Sequence, residues 1–222
     1  MKKIKEYRLK GIFSDDKNFF TINLVPGTQV YGEKLVKQEG IEYRCWDPKR
    51  SKLGAAISKG ISQIGLKPGY CVLYLGAATG TTVSHVSDIV GREGFVFAVD
   101  CAPRVVRDLV FVSEKRKNIL PILADANIPY SYIHLVPEVD FIFQDVAQRN
   151  QIEIFLKNVD LYLKDEGFAA IAVKARSIDV SKKPKEIFEM AKKELEKNVI
   201  IVDYRTLEPL EKDHAFFVCK KK

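Results

Sequence analysis

The run Val72-Leu73-Tyr74-Leu75-Gly76-Ala77-Ala78-Thr79-Gly80-Thr81-Thr82 carries an apolar strand into a glycine loop and then into a helix start. Glycines at such a turn let the backbone approach a ligand closely, and the first helical N–H groups favour a carboxylate or phosphate. Asp100 ends the next apolar run, 100 − 80 = 20 residues past Gly80. A carboxylate there is placed to accept both hydroxyls of a ribose. Asp125 closes the third run in the same manner, within reach of an adenine amino group or a backbone amide. The loop is not a dinucleotide fingerprint, because Ala78 and Thr81 stand where glycines are needed. Nor is it a P-loop, since it has no lysine; Gly27 to Lys34 comes nearer that pattern, but Glu33 fills the lysine position. A glycine loop with a ribose carboxylate and no diphosphate feature points to a nucleoside cofactor without phosphates. S-adenosylmethionine (SAM) fits that description. A plain strand-to-helix turn and an NAD-type site are the alternatives.

The elements that must hold these residues alternate. Expected strands are Cys71–Leu75, Gly94–Val99, Ile119–Ala124, Val139–Phe143, Phe168–Lys174, Val199–Arg205 and Ala215–Cys219, with helices such as 104–116, 151–163 and 184–197 between the first six. That order implies right-handed crossovers and a mostly parallel sheet covered on both faces. Thr206 to His214 leaves little room for a helix, so the seventh strand is expected to be antiparallel. Residues 1–50 read differently, as a small β-rich domain with strands at Tyr7–Ile12, Phe19–Leu24 and Glu42–Trp46. Residues 51–222 form the second domain, opening on a helix whose Leu53, Ala56, Ile57, Ile61 and Ile64 share one face.

The 222 residues are 46% hydrophobic and 29% charged, which excludes wholesale disorder. No apolar stretch reaches the roughly 20 residues of a membrane span, and no signal peptide is visible, so a cytoplasmic location is expected. A net charge of +7 permits phosphate binding without requiring it, and Lys220-Lys221-Lys222 reads as a solvated end. Cys45 stands apart, while Cys71, Cys101 and Cys219 in or beside apolar runs read as buried hydrophobes. With His85, His134 and His214 scattered, no metal is expected.

Five segments together resemble archaeal fibrillarin: Trp46 to Leu53, Gly76 to Thr82, Asp145 to Gln148, Val173 to Val180, and Glu208 to Ala215. They span the chain in a consistent order. No Gly–Arg-rich stretch, as in eukaryotic members, occurs among these residues. The resemblance implies an α/β SAM-dependent methyltransferase (Rossmann-like) fold. It further implies the ribose 2′-O-methyltransferase subunit of a box C/D guide ribonucleoprotein, acting on rRNA and tRNA. The implied SAM contacts are Gly76, Ala77, Gly80, Thr81, Thr82, Asp100, Cys101, Asp125, Ala126, Asp145, Val146, Ala147 and Gln148. Asp100 stands where the family often has glutamate. Implied partners are a Nop-type scaffold protein, a kink-turn-binding ribosomal-type protein, box C/D guide RNA and target RNA.

Related ribose methyltransferases use a Lys-Asp-Lys-acid/His tetrad, which Lys52, Asp145, Lys174 and His214 match. Placement supports them. Lys174 and Asp145 follow apolar runs, so they fall at the carboxyl edge of the sheet, where open α/β folds build their sites. His214 reaches that edge if its strand runs backward. Lys52 opens a helix, where the dipole disfavours a cation and invites a functional reason. A ribose hydroxyl attacks poorly unless its proton is removed or its developing charge is held, and two lysines with a carboxylate suit that task. The plainer readings are a snorkelling Lys174, a surface Lys52, Asp145 as a helix N-cap, and a packed His214. Tyr74 and Trp46 read as core or interface. A charge of +7 spread over the whole chain implies weak intrinsic RNA affinity.

Overall fold

The computed structural model describes residues 2–222. Short strands Lys5–Glu6 (β1), Phe13–Ser14 (β2), Phe19–Ile22 (β3), Leu35–Gln38 (β4) and Ile41–Trp46 (β5) form an antiparallel sheet in the order β1-β2-β3-β5-β4. The larger sheet contains Cys71–Leu75 (β6), Phe95–Asp100 (β7), Ile119–Leu123 (β8), Val139–Gln144 (β9), Leu163–Lys174 (β10), Val199–Thr206 (β11) and His214–Lys221 (β12). Its order is β11-β12-β10-β9-β6-β7-β8. Around the sheets lie helices Lys52–Ser58 (α1), Thr81–Val90 (α2), Pro103–Lys115 (α3), Gln151–Tyr162 (α4), Ala175–Ile178 (α5) and Pro184–Asn198 (α6).

The strand cores are unbroken apolar runs because both faces are covered. Val72, Tyr74, Phe141 and Phe143 pack toward α1 and α2, while Leu73, Leu75, Ile142 and Ile171 pack toward α4 and α6. Six strands run parallel, and only β12 is reversed, paired antiparallel to both β10 and β11. The short 206–214 connection allows nothing else. Chain order turns outward in opposite directions from the β6–β9 pair, and that reversal opens a crevice at their carboxyl ends.

Several expectations are corrected. Residues 7–12 are a turn, closed by the Tyr7 N–H on the Ile12 carbonyl at 2.8 Å. Leu9 and Ile12 are apolar because that turn presses them onto the larger sheet's core. Helix α1 stops at Ser58, since Gly60 has φ +74°; Ile61 and Ile64 are buried without being helical. Strand β4 has no clear apolar alternation, and none of its residues is fully buried. The C-terminal lysines are not a free solvated end. Lys221 Nζ donates to the Leu163 carbonyl at 2.6 Å, and Lys222 Nζ donates to the Glu196 and Lys197 carbonyls at 3.0 Å. Lys221 also reaches the Asp160 carbonyl in the last turn of α4 at 3.4 Å, so cations sit at the carboxyl ends of α4 and α6, where the dipole favours them. Cys101 is exposed, because it sits past the end of β7. No helix among the described residues is long and apolar enough to cross a membrane.

Charge joins the two sheets. Arg44 on β5 is fully buried and bridges Glu33 at 2.6 Å and Asp88 of α2 at 2.7 Å. Asp88 also binds Arg116 and accepts from the Thr21 hydroxyl at 2.8 Å. Glu33, in the segment that came near a P-loop pattern, is therefore an internal counter-ion.

Candidate active site

The glycine loop is built by strain that only certain residues accept. Gly76 has φ +81°, and a Cβ there would lie 2.4 Å from the Asp145 carbonyl. Glycine lets the end of β6 lie directly against the end of β9. The Gly76 and Ala77 N–H groups donate to the Val99 carbonyl at 2.9 and 3.1 Å, tying the loop to β7. Asp100 then closes the turn: its carboxylate accepts from the Ala78 N–H at 2.9 Å and the Ala102 N–H at 3.0 Å. Each oxygen retains a lone pair for a ligand hydroxyl.

A cavity of about 280 Å³ opens at this crevice. Its wall includes Gly76, Asp100, Cys101, Asp125, Ala126 and the strip Asp145 to Gln148. Ala78, Val99 and Ala124 also line it and were missed, because small apolar residues beside a carboxylate leave no chemical signature in sequence. Three carboxylates face the space, and the lining contains no lysine or arginine. Such a wall repels phosphates and suits a nucleoside bearing positive charge, with alanine and valine surfaces for a flat base. The cavity therefore fits SAM and argues against a dinucleotide.

Four further residues expected at the cofactor lie on the same loop and helix start but do not line this cavity. Ala77 is buried, and Gly80 caps α2 in the left-handed region at φ +95°. Thr81 opens on a neighbouring depression shared with Arg50 and Phe111. Thr82 is buried, with its hydroxyl donating to Ser51 Oγ at 3.0 Å. That bond has its own use. Ser51 caps α1 by accepting the Gly54 N–H at 3.1 Å, so α2 helps fix the helix whose first residue is Lys52.

Lys52 Nζ lies 3.1 Å from Asp145 Oδ2. Burial pushes the Asp145 carboxyl above the ordinary carboxylate range, while Lys52, then His214 and Lys174, pull it back down. All four expected residues thus converge on one charge cluster. Asp145 caps no helix, since α4 begins only at Gln151. Lys174 and His214 sit opposite one another in the β10–β12 pairing. His214 is 7% exposed, and burial holds its pKa below the usual imidazole value. Its Nδ1–H donates to the Lys212 carbonyl at 2.6 Å, which leaves Nε2 as the ring's acceptor. Lys174 enters no ion pair among the described residues. Tyr74 and Trp46 are core side chains, each 2% exposed. No group of three or more His, Cys, Asp or Glu among the described residues is arranged to hold a metal.

Comparison with known proteins bears on the same reading. The fibrillarin family model matches residues 4–222. A fibrillarin-like rRNA/tRNA 2′-O-methyltransferase of Thermococcus onnurineus is 52% identical over 224 residues, covering 99% of both chains. The crystal structure of Aeropyrum pernix fibrillarin with natively bound S-adenosylmethionine superposes with a TM-score of 0.88 at 42% identity, covering 99% of this chain and 100% of that one. A fibrillarin/Nop5p complex gives a TM-score of 0.89 at 40% identity, covering 98% and 100%.

Proposed function

The chain belongs to the fibrillarin family, and from that premise we propose that it is a SAM-dependent ribose 2′-O-methyltransferase of rRNA and tRNA. The observation that carries this is Asp145, which belongs at once to the cofactor cavity and to the Lys52 ion pair. Cofactor and acceptor chemistry therefore share one carboxylate.

SAM, when bound, supplies a methyl group activated by a sulfonium. Asp100 and Asp125 would hold its hydroxyls and base amine, and the Val99, Ala124 and Ala126 surfaces would cover the base. Asp145 fixes Lys52 and faces the cofactor side. Lys174, which enters no ion pair among the described residues, is free to orient the ribose 2′-hydroxyl and hold the charge that develops as its proton leaves. Neutral His214 offers Nε2 at the same edge as an acceptor for that proton. Because the leaving group is already good, in-line positioning supplies much of the acceleration.

The same proposal includes a Nop-type scaffold, of the kind seen with the fibrillarin of the Nop5p complex. It also includes a kink-turn-binding protein, a box C/D guide and its target RNA, and a cytoplasmic site of action. The modest, dispersed charge supports a scaffold that delivers the RNA.

The test is methyl transfer from radiolabelled SAM to guide-paired RNA, with and without scaffold proteins, against a target carrying a 2′-deoxy sugar at the addressed nucleotide. Label on the ribose only in the full assembly supports the proposal. Label on the 2′-deoxy target sinks it. Lys174→Ala is expected to abolish transfer while SAM binding survives in calorimetry.

A further inference from the structure

Gln151 opens α4 and is fully buried, yet nothing in the chemistry above uses it. Its amide is occupied on every side. Oε1 accepts the Lys174 main-chain N–H at 3.0 Å, and Nε2 donates to the Lys174 carbonyl at 3.2 Å and to the Gln148 carbonyl at 2.8 Å. Strand β9 ends at Gln144, whose partner on β10 is Ile171, so β10 runs three residues past its last rung on that side. One side chain replaces the missing strand at the residue that carries the acceptor-side cation. The same amide grips the cofactor strip at Gln148, which lines the cavity. The Gln151 carbonyl in turn accepts from Gln144 Nε2 at 2.6 Å, anchoring the arrangement to the end of β9.

We infer that Gln151 is a positioning residue for methyl transfer, holding the Lys174 main chain in register with the cofactor strip through its three amide hydrogen bonds. The inference rests on the reading of Lys174 as the hydroxyl-orienting group. Among the described residues Gln151 makes the only side-chain hydrogen bonds to Lys174's main chain. Strand β12 still flanks β10 on the other side, so loss of the amide removes the hold toward the cofactor strip and lets Lys174 shift away from it. A misplacement of about 1 Å at a reacting group costs on the order of 10²-fold in rate.

The experiment uses the full chain assembled with its scaffold proteins and guide RNA. Gln151→Met keeps the length and removes all three bonds; Gln151→Glu keeps the acceptor for the Lys174 N–H and removes both donors. Single-turnover transfer, SAM affinity and amide hydrogen exchange are measured for each, beside Lys174→Ala. For Gln151→Met we expect a rate loss on the order of 10²-fold, with SAM affinity changed less than about tenfold. Exchange at the Lys174 amide should accelerate while Leu73 and Val218 in the sheet core stay protected. Gln151→Glu should lose rate as well, because its buried carboxylate would face the Gln148 and Lys174 carbonyls in place of two donors. Unchanged transfer in both variants overturns the inference, and so does a rate loss matched by faster exchange throughout the core. If Lys174→Ala itself transfers normally, the reading of Lys174 falls first, and the inference with it.

Discussion

At the scale of single residues, the site is a balance around Asp145. Burial resists its ionisation, and Lys52 at 3.1 Å is the strongest force favouring it. Replacing Lys52 with methionine removes the cation and keeps the chain length. The Asp145 carboxyl is then expected to titrate at higher pH than in the parent, followed by carboxyl carbon NMR. The acid limb of methyl transfer should move the same way; no movement would show that the pair does not set the protonation state. The sequence exposed Asp145 and Lys174 because each follows an apolar run, while Lys52 at a helix start and His214 ahead of the last strand were picked out by the resemblance to the ribose-methyltransferase tetrad. It left Gln151 hidden, because a buried amide one residue into a helix looks like any other helix start.

Elements decide whether those residues meet. The approach of β6 to β9 is allowed by one missing Cβ, at Gly76. Gly76→Ala would place a methyl 2.4 Å from the Asp145 carbonyl and force an alanine to φ +81°. The backbone conformation alone costs about 1–2 kcal/mol, and the clash adds to it. The expected outcome is a lower melting temperature and loss of measurable SAM binding by calorimetry; a variant that binds SAM normally would show that the loop can open without penalty. The helices add smaller devices: Ser51 tied to Thr82 at one end, and Lys221 and Lys222 closing α4 and α6 at the other.

For the molecule as a whole, the smaller sheet is fastened by buried charge. Arg44 at 0% exposure is shared by Glu33 and Asp88, and Asp88 also holds Arg116. Arg44→Met strands the buried Glu33 carboxylate and leaves Asp88 with Arg116 alone, and it is expected to cost about 3–5 kcal/mol, read as a shift of the denaturant midpoint without a change of slope. Beside this network His85 stacks on Trp46 at 4.6 Å, accepts from the Tyr31 hydroxyl at 2.7 Å, and is kept neutral by burial and by Arg44 and Arg116. His214 is also held below its usual value. The unfolded chain protonates both rings first as pH falls, so it binds more protons than the folded chain. Stability is therefore full above about pH 6.5 and falls below it, by up to about 1.4 kcal/mol per pH unit for each histidine. Urea titrations between pH 7 and 5 check this; a flat midpoint would contradict it.

The sequence by itself determined the alternation of strands and helices, the reversed last strand, the glycine loop and the charged residues that end each strand. Those features are local: apolar runs long enough for one element, connections too short for a helix, and polar residues that a buried strand cannot hold inside. Tertiary structure decided what depends on neighbours distant in the chain. It turned residues 7–12 from an expected strand into a packed turn, because their apolar positions face the other sheet's core. It inserted β12 between β10 and β11, which brings His214 beside Lys174. It used the last lysines as helix caps and bound Arg44 to partners 11 and 44 residues away. A side chain's partner across space is set by the shape of the whole fold, and no local spacing contains it.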